Sequence, residues 1–320
     1  MEKFGRSQPV TRIEDQRFLT GAGRYVDDIA PEDALVAHVL RSPVAHGTIA
    51  ALDVSAAREA EGVHAVLTAK DLETAGLDLR MQAVRVPNRD GTKGAATERL
   101  LLARDRVRFV GEPVAMIVAE TRQQARDAAE LVELEIDELP AKLDLAPGGE
   151  PLHESAPDNR AFDWALGDAA ATEAAFESAA HVVRLEVGDN RVIVNSLEPR
   201  GAYAEWVDGR LHVAINGQGV WSQKSALVQA LGLPEDAVRV TNPDVGGGFG
   251  MKGAPYPEYP VLAHAARVTG RPVHWMAERT ESMLSDHAGR DLVTTAELAF
   301  DADLRITGYR AHTLSNLGAY

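Results

Sequence analysis

Residues 138–168 carry Pro140, Pro147-Gly148-Gly149, Pro151, Pro157 and Gly167, and this stretch limits the possible folds more than any other. Proline fixes φ and removes a backbone donor, so a succession of prolines resists both helical and ladder hydrogen bonding. The segment is expected to run over the surface as a connection, dividing the chain into two folded units. That division fits a chain of 320 residues, since one domain takes roughly 150.

Ahead of the connection the pattern is that of a small α+β unit. Ala34–Leu40, His46–Val54 and Val63–Thr68 read as strands, with a short helix over Ser55–Ala60. Residues 85–99 contain Pro87-Asn88 and Asp90-Gly91, which mark a loop. Pro113–Ala119 is apolar throughout and reads as a buried strand. Thr121 and Gln124 fit a capping box, in which the hydroxyl caps the first turn and the amide reaches back. Behind them Ala125, Ala128, Ala129 and Val132 fall on one helix face, and Glu133–Asp137 follows as a return strand.

Beyond the connection, strands are predicted at His181–Val187, Arg191–Ser196, Arg200–Val207 and Arg210–Asn216, with Asp208-Gly209 as a hairpin turn. A helix over Ser222–Leu231 closes at Gly232, and a short strand, Val238–Thr241, leads into a glycine loop. Helices at about 258–269 and 278–285 precede two long strands, Arg290–Phe300 and Arg305–Leu314.

Composition narrows the function classes. Hydrophobic residues at 45% and charged residues at 25% are those of a globular chain. Thirty-three Lys+Arg against 48 Asp+Glu leave a net charge of −15, which argues against nucleic acid and anionic membrane surfaces as partners. With no cysteine, the chain offers no disulfide, thiolate metal site, cysteine nucleophile or cysteine-ligated iron–sulfur cluster. The start, Met1-Glu2-Lys3-Phe4-Gly5, carries no targeting segment, and Pro113–Ala119 is far shorter than the ~18 residues of a membrane span. A cytoplasmic location is the expectation.

The most unusual segment is Asn242-Pro-Asp-Val-Gly-Gly-Gly-Phe-Gly-Met-Lys252. Clustered glycines let the backbone approach a bulky ligand and turn several N–H groups inward as a nest for oxyanions; a tight strand-exit turn is the plainer alternative. It is no Walker A loop, because Gly250-Met251-Lys252-Gly253 lacks the Gly-Lys-Ser/Thr order. Gly248, Gly250 and Gly253 match G-x-G-x-x-G formally, but Pro255, Pro257 and Pro260 oppose the helix that a dinucleotide fingerprint must open into. Upstream, Asn216-Gly-Gln-Gly-Val-Trp221 is a second glycine-flanked turn, where Gln218 presents an amide suited to an oxo or carbonyl ligand. Glu198-Pro-Arg200-Gly201 reads as a salt-linked turn between strands, and the histidines form neither H-E-x-x-H nor an i, i+4 pair.

Five segments in order resemble one known family. They are Arg17-Phe-Leu-Thr-Gly-Ala-Gly-Arg-Tyr-Val-Asp-Asp28, Arg41-Ser-Pro-Val-Ala-His46, Val110-Gly-Glu-Pro-Val114, Leu197-Glu-Pro-Arg200 and Pro243-Asp-Val-Gly-Gly-Gly-Phe-Gly250. Together they resemble the N-terminal part of the large, molybdopterin-binding subunit of molybdenum hydroxylases, the xanthine dehydrogenase/aldehyde oxidase/carbon monoxide dehydrogenase group. The resemblance implies an α+β chain: an N-terminal extension (1–17), an α/β hammerhead domain (18–137), the connection (138–168) and the first part of a molybdopterin-binding domain (169–320).

It further implies that Gln218 hydrogen-bonds an oxygen ligand of molybdenum and that Gly247, Gly248, Phe249 and Gly250 offer backbone N–H groups to the same cofactor. The pterin would hold the metal, so no residue ligates it directly, and Gln218 and Phe249 would lie nearest. The glutamate that acts as general base in the family lies beyond Tyr320, so no catalytic residue is expected within this chain. Some purine-oxidising members have a substrate-contacting glutamate where this chain has Gly253, which speaks against purines. The implied cofactor is molybdenum–molybdopterin, in the cytosine dinucleotide form of the bacterial branch. The implied partners are an iron–sulfur small subunit, an FAD medium subunit and a second chain carrying the rest of the large subunit. The alternatives are a non-catalytic assembly module or truncated remnant, and, from the formal glycine match alone, an NAD-dependent dehydrogenase.

Overall fold

The computed structural model describes residues 10–81 and 85–320. The expected N-terminal extension is thus described only from residue 10, and the Met1–Gly5 start lies outside the described residues. Two short helices, α1 (Asp15–Leu19) and α2 (Val26–Ile29), precede β1 (Leu35–Arg41), β2 (Gly47–Asp53), α3 (Ser55–Glu59), β3 (Val63–Thr68) and α4 (Ala69–Thr74). Then come β4 (Arg106–Val107), β5 (Pro113–Ala119), α5 (Arg122–Glu130) and β6 (Glu133–Glu138). Residues 139–168 hold no helix and no strand beyond an isolated bridge, as so many prolines dictate. Past them follow α6 (Ala169–Glu177), β7 (His181–Asp189), β8 (Gly201–Val207), β9 (Arg210–Ile215), α7 (Trp221–Leu231) and β10 (Val238–Thr241). The last elements are α8 (Glu258–Thr269), β11 (Val273–Met276), α9 (Arg279–Ser285), β12 (Leu292–Phe300) and β13 (Ile306–Ser315).

The fold is α+β, and its principal sheet draws strands from both sides of the proline-rich connection, in the order β10-β9-β8-β11-β1-β5-β3. The junction is β1 against β11, parallel, with Leu35 opposite Val273 and Val36 opposite His274. Every residue of β5 is buried. Met116 and Val118 point into the large core that contains α8, whereas Ile117 and Ala119 point into the cluster under α5. A strand covered on both faces need not alternate, which is why this segment is apolar throughout. Two smaller sheets, β4-β2-β6 and β13-β12-β7, complete the molecule.

Local chemistry explains the helix and turn boundaries, with corrections. Asp208 and Gly209 both take positive φ, 50° and 76°, as a two-residue hairpin turn requires. Gly232 closes α7 in the left-handed region. The Thr121 hydroxyl accepts the Gln124 N–H at 3.2 Å, but the reciprocal half of the expected capping box is absent. Gln124 Oε1 instead accepts from the Thr121 hydroxyl at 2.8 Å. The strand expected at Arg191–Ser196 is irregular, with one bridge from Val192 to Gly289 and Asn195 at φ 52°. Its polar groups are met from outside a ladder, since the Arg279 guanidinium donates to Asn195 Oδ1, Ser196 O and Leu197 O. Helix α6 has no counterpart among the sequence expectations. Its signal was Asp168, whose carboxylate accepts the Ala171 N–H at 2.9 Å ahead of an alanine run.

Candidate functional site

Two bends meet at the ends of β9 and β10. The first begins at Asn216, fully buried, whose Oδ1 accepts the Gly201 N–H at 2.9 Å while its Nδ2 donates to Pro199 O at 2.7 Å. This ties the end of β9 to the start of β8 and aims residues 217–219 away from the sheet. The second bend leaves β10 through Asn242, whose Nδ2 donates to Gly217 O at 2.9 Å, so the two bends are stitched together at their roots.

Their tips meet as well. Gly250 N–H donates to Gln218 Oε1 at 2.9 Å, and Gln218 N–H donates to Lys252 O at 3.1 Å. Only this amide orientation puts an acceptor against the Gly250 N–H, so Nε2 is the free end of the side chain. Among the described residues no acceptor takes its two protons. At Gly248 a Cβ would lie 2.5 Å from Gln218 Cγ and Cδ, so any side chain there would displace the glutamine from this position. Gly247 and Gly250 are required by conformation, at φ 103° and 91°, and Phe249 itself is held at φ 52° with its ring 76% exposed.

The loop's hydrogen bonding divides sharply. Gly246 N–H donates to Glu198 Oε2 at 2.7 Å, Gly250 N–H to Gln218, and Met251 N–H back to Gly248 O at 3.0 Å. Among the described residues, the N–H groups of Gly247, Gly248 and Phe249 have no protein acceptor. Three consecutive amides without a protein acceptor, Gly248 among them buried, together with a free carboxamide NH2 make a donor-rich stretch, the chemistry that an oxygen-rich anionic group requires. The residues present therefore fit a molybdopterin-type cofactor.

Below the bends lies a buried charged layer. Lys252 Nζ donates to Glu198 O at 2.8 Å and sits 3.3 Å from Glu198 Oε2. Burial pushes the Lys252 ammonium pKa down, and Glu198 counters it. Arg200 pairs with Glu258 at 3.0 Å and with Asp286, and its guanidinium lies 3.7 Å from the centre of the Tyr256 ring. Burial alone would raise the Glu258 pKa, but Arg200 and Arg41 reverse the shift and hold the carboxyl well below the usual carboxylate range. The expected salt-linked turn at 198–201 is thus absent, because Glu198 and Arg200 belong to different ion pairs.

The structure brings together Gln218, Gly247, Gly248, Phe249 and Gly250, but corrects the expectation for one of them: the Gly250 N–H is taken by Gln218 Oε1 and is not free for a cofactor. Sequence reasoning missed Glu198, Lys252 and Asn216, which hold them. The only signal was a lysine and a glutamate inside otherwise glycine- and proline-rich motifs. The dinucleotide fingerprint fails on geometry: a 3-10 turn, Met251–Gly253, follows Gly250, and α8 starts only at Glu258. Among the described residues, no group of three or more His, Asp or Glu could hold a metal ion, and no helix is long and apolar enough to cross a membrane.

Comparison with known proteins gives consistent matches. Residues 152–320 match the family model described as molybdopterin cofactor-binding domain. Residues 20–140 match that of the aldehyde oxidase and xanthine dehydrogenase a/b hammerhead domain. The chain is 38% identical to the nicotine 6-hydroxylase large subunit of Paenarthrobacter nicotinovorans, over 97% of its own length and 38% of that subunit's. It is 35% identical to the carbon monoxide dehydrogenase large chain of Hydrogenophaga pseudoflava, over 96% and 39%. Among solved structures, reconstituted CO dehydrogenase from Oligotropha carboxidovorans matches with TM-score 0.85 at 32% identity, covering 95% of this chain and 39% of that one. Quinoline 2-oxidoreductase from Pseudomonas putida 86 matches with TM-score 0.81 at 34% identity, covering 95% and 38%. The chain therefore spans about two fifths of the length of the relatives it matches.

Proposed function

The chain belongs to the molybdopterin-binding large subunits of the molybdenum hydroxylase family, and on that premise we propose that it is the cofactor-binding portion of an oxidative hydroxylase. The observation that carries this reading is the 2.9 Å hydrogen bond from Gly250 to Gln218, which joins two glycine bends into one donor surface. Gln218 Nε2 and the amides of Gly247, Gly248 and Phe249 would hold and orient the cofactor. When bound, the molybdenum group supplies a two-electron redox centre. The protein's part is to receive it on preorganised dipoles that need not rearrange as charge develops.

In this reading residues 18–137 are the hammerhead domain and 169–320 the first part of the cofactor domain. The general base and most substrate contacts come from polypeptide outside residues 1–320. A second chain carrying the rest of the large subunit is one source of it. Electrons leave through iron–sulfur clusters and FAD on a small and a medium subunit, because a chain with no cysteine cannot itself ligate such a cluster through thiolates. The cofactor is taken as the cytosine dinucleotide form, and the complex as cytoplasmic. Aldehydes, N-heterocycles and carbon monoxide are the substrate classes that the relatives suggest. Position 253 is a glycine, so no side chain stands there to read a purine.

The test is elemental analysis of the chain co-purified with its neighbouring subunits. Near-stoichiometric molybdenum is expected, falling at least about tenfold in Gln218→Ala, since losing one charge-assisted donor pair costs at least about 1.4 kcal/mol. Background molybdenum in an intact wild-type complex would refute the reading.

A further inference from the structure

Behind the donor surface lies one ion pair that nothing in the proposed chemistry uses. The Lys252 side chain is fully buried and that of Glu198 is 10% exposed. Their contacts reach both bends. Glu198 Oε2 takes the Gly246 N–H at the entry to the glycine loop, Glu198 N–H donates to Gly246 O at 3.0 Å, and Lys252 O takes the Gln218 N–H. Lys252 Nζ closes the circuit on Glu198 O at 2.8 Å. Glu198 Oε1 is buried and, among the described residues, has no partner, so the carboxylate depends on Lys252 for compensation. Ser196 Oγ, which also donates to Glu198 O at 2.7 Å, adds no charge.

We propose that Glu198 and Lys252 are positioning residues, a charge-neutral clasp that sets the amides of Gly247, Gly248 and Phe249 toward an anionic ligand. The ion pair acts through neutrality rather than packing. A buried carboxylate left alone behind the nest would repel the anion that the nest receives, and would draw solvent into the loop. The purpose of the clasp rests on the cofactor reading above, whereas its existence can be tested on the full chain with no ligand present.

The experiment is amide hydrogen exchange of the full chain, following the peptide that contains Gly246, Gly250 and Met251, the loop amides with protein acceptors. Lys252→Met is expected to speed their exchange by about tenfold or more while β5 stays protected. Adding Glu198→Gln removes the stranded charge but keeps a carbonyl for the Gly246 N–H, and the double variant should return to within about threefold of wild type. A packing role predicts the opposite, with the double variant worse than either single. The proposal is overturned if Lys252→Met leaves the loop amides unchanged, or if the double variant exchanges as fast as the single. If Lys252→Met alone loses protection in β5 as well, the double variant decides: a wild-type pattern supports the clasp and a disordered loop refutes it. Molybdenum content in the co-purified complex separates the two readings. A metal-free wild type with the exchange pattern intact would remove the cofactor and leave the clasp.

Discussion

His287 lies ring to ring with Tyr256, centroids 4.3 Å apart, and its Nε2 receives Arg99 NH1 at 2.8 Å. An arginine can only donate, so this nitrogen must keep its lone pair and the folded imidazole is neutral. Burial, then Arg99 and Arg200, push its pKa down to about 4, whereas an unfolded histidine titrates near about 6.5. Between those values the unfolded chain holds a proton that the folded chain refuses, so this group's contribution to stability falls as pH drops through the window. From about pH 7 to about pH 5 the wild type should lose about 2 kcal/mol through His287 alone. His287→Asn should flatten the pH dependence of the denaturation midpoint by that amount, and equal slopes in the two proteins would contradict the assignment. At this scale the site was half legible. Four clustered glycines and a glutamine announce themselves, because glycine is costly wherever its freedom is not used. Glu198 and Lys252 do not, since their pairing is created by a fold that brings together residues 54 positions apart.

Arg41, at the end of β1, gathers α8 and α9 onto the N-terminal strands. Its guanidinium reaches Glu258 Oε1 and Glu281 Oε1, both at 2.7 Å, and also Gly111 O at 3.0 Å. With its side chain only 8% exposed, removing the charge leaves Glu258 to Arg200, which also serves Asp286, and leaves Glu281 without its arginine. Arg41→Met should therefore destabilise the chain by about 3 kcal/mol, measured by denaturant unfolding; a loss below about 1 kcal/mol would mean that Arg200 alone satisfies the cluster. Elements like β5 and α5 were readable because one strong local pattern, continuous apolarity or a spaced alanine face, met no competitor. The irregular course of 191–196 was not, because an arginine from α9 supplies what a neighbouring strand was expected to supply. Nor was α6, whose alanines carry little periodicity and none of which is buried.

The sheet of β7, β12 and β13 is covered on one side by α6, where Gly308 lets Ala175 and Phe176 approach. Its other face carries the cross-strand rows Val183–Leu298–Tyr309 and Leu185–Ala296–Ala311. Leu185 and Tyr309 there are 60% and 62% exposed. An apolar face of this kind is atypical of a self-sufficient monomer. The chain on its own should bind a hydrophobic dye, and Leu185→Ser should lower the dye fluorescence at unchanged helix and strand content; an unaltered signal would mean that the dye binds elsewhere.

The pairing of β1 with β11 sets a schedule for synthesis. Leu35 leaves the ribosome 238 residues before Val273, its partner, and at about 5–20 residues per second that interval is roughly 10–50 s. Through much of it, once Pro113–Ala119 has emerged and paired with its other margin, one margin of β1 stands bare. A nascent chain in that condition is an invitation to chaperones and to misdirected strand exchange. Slowing translation should lengthen that vulnerable period more than it helps the N-terminal part to mature.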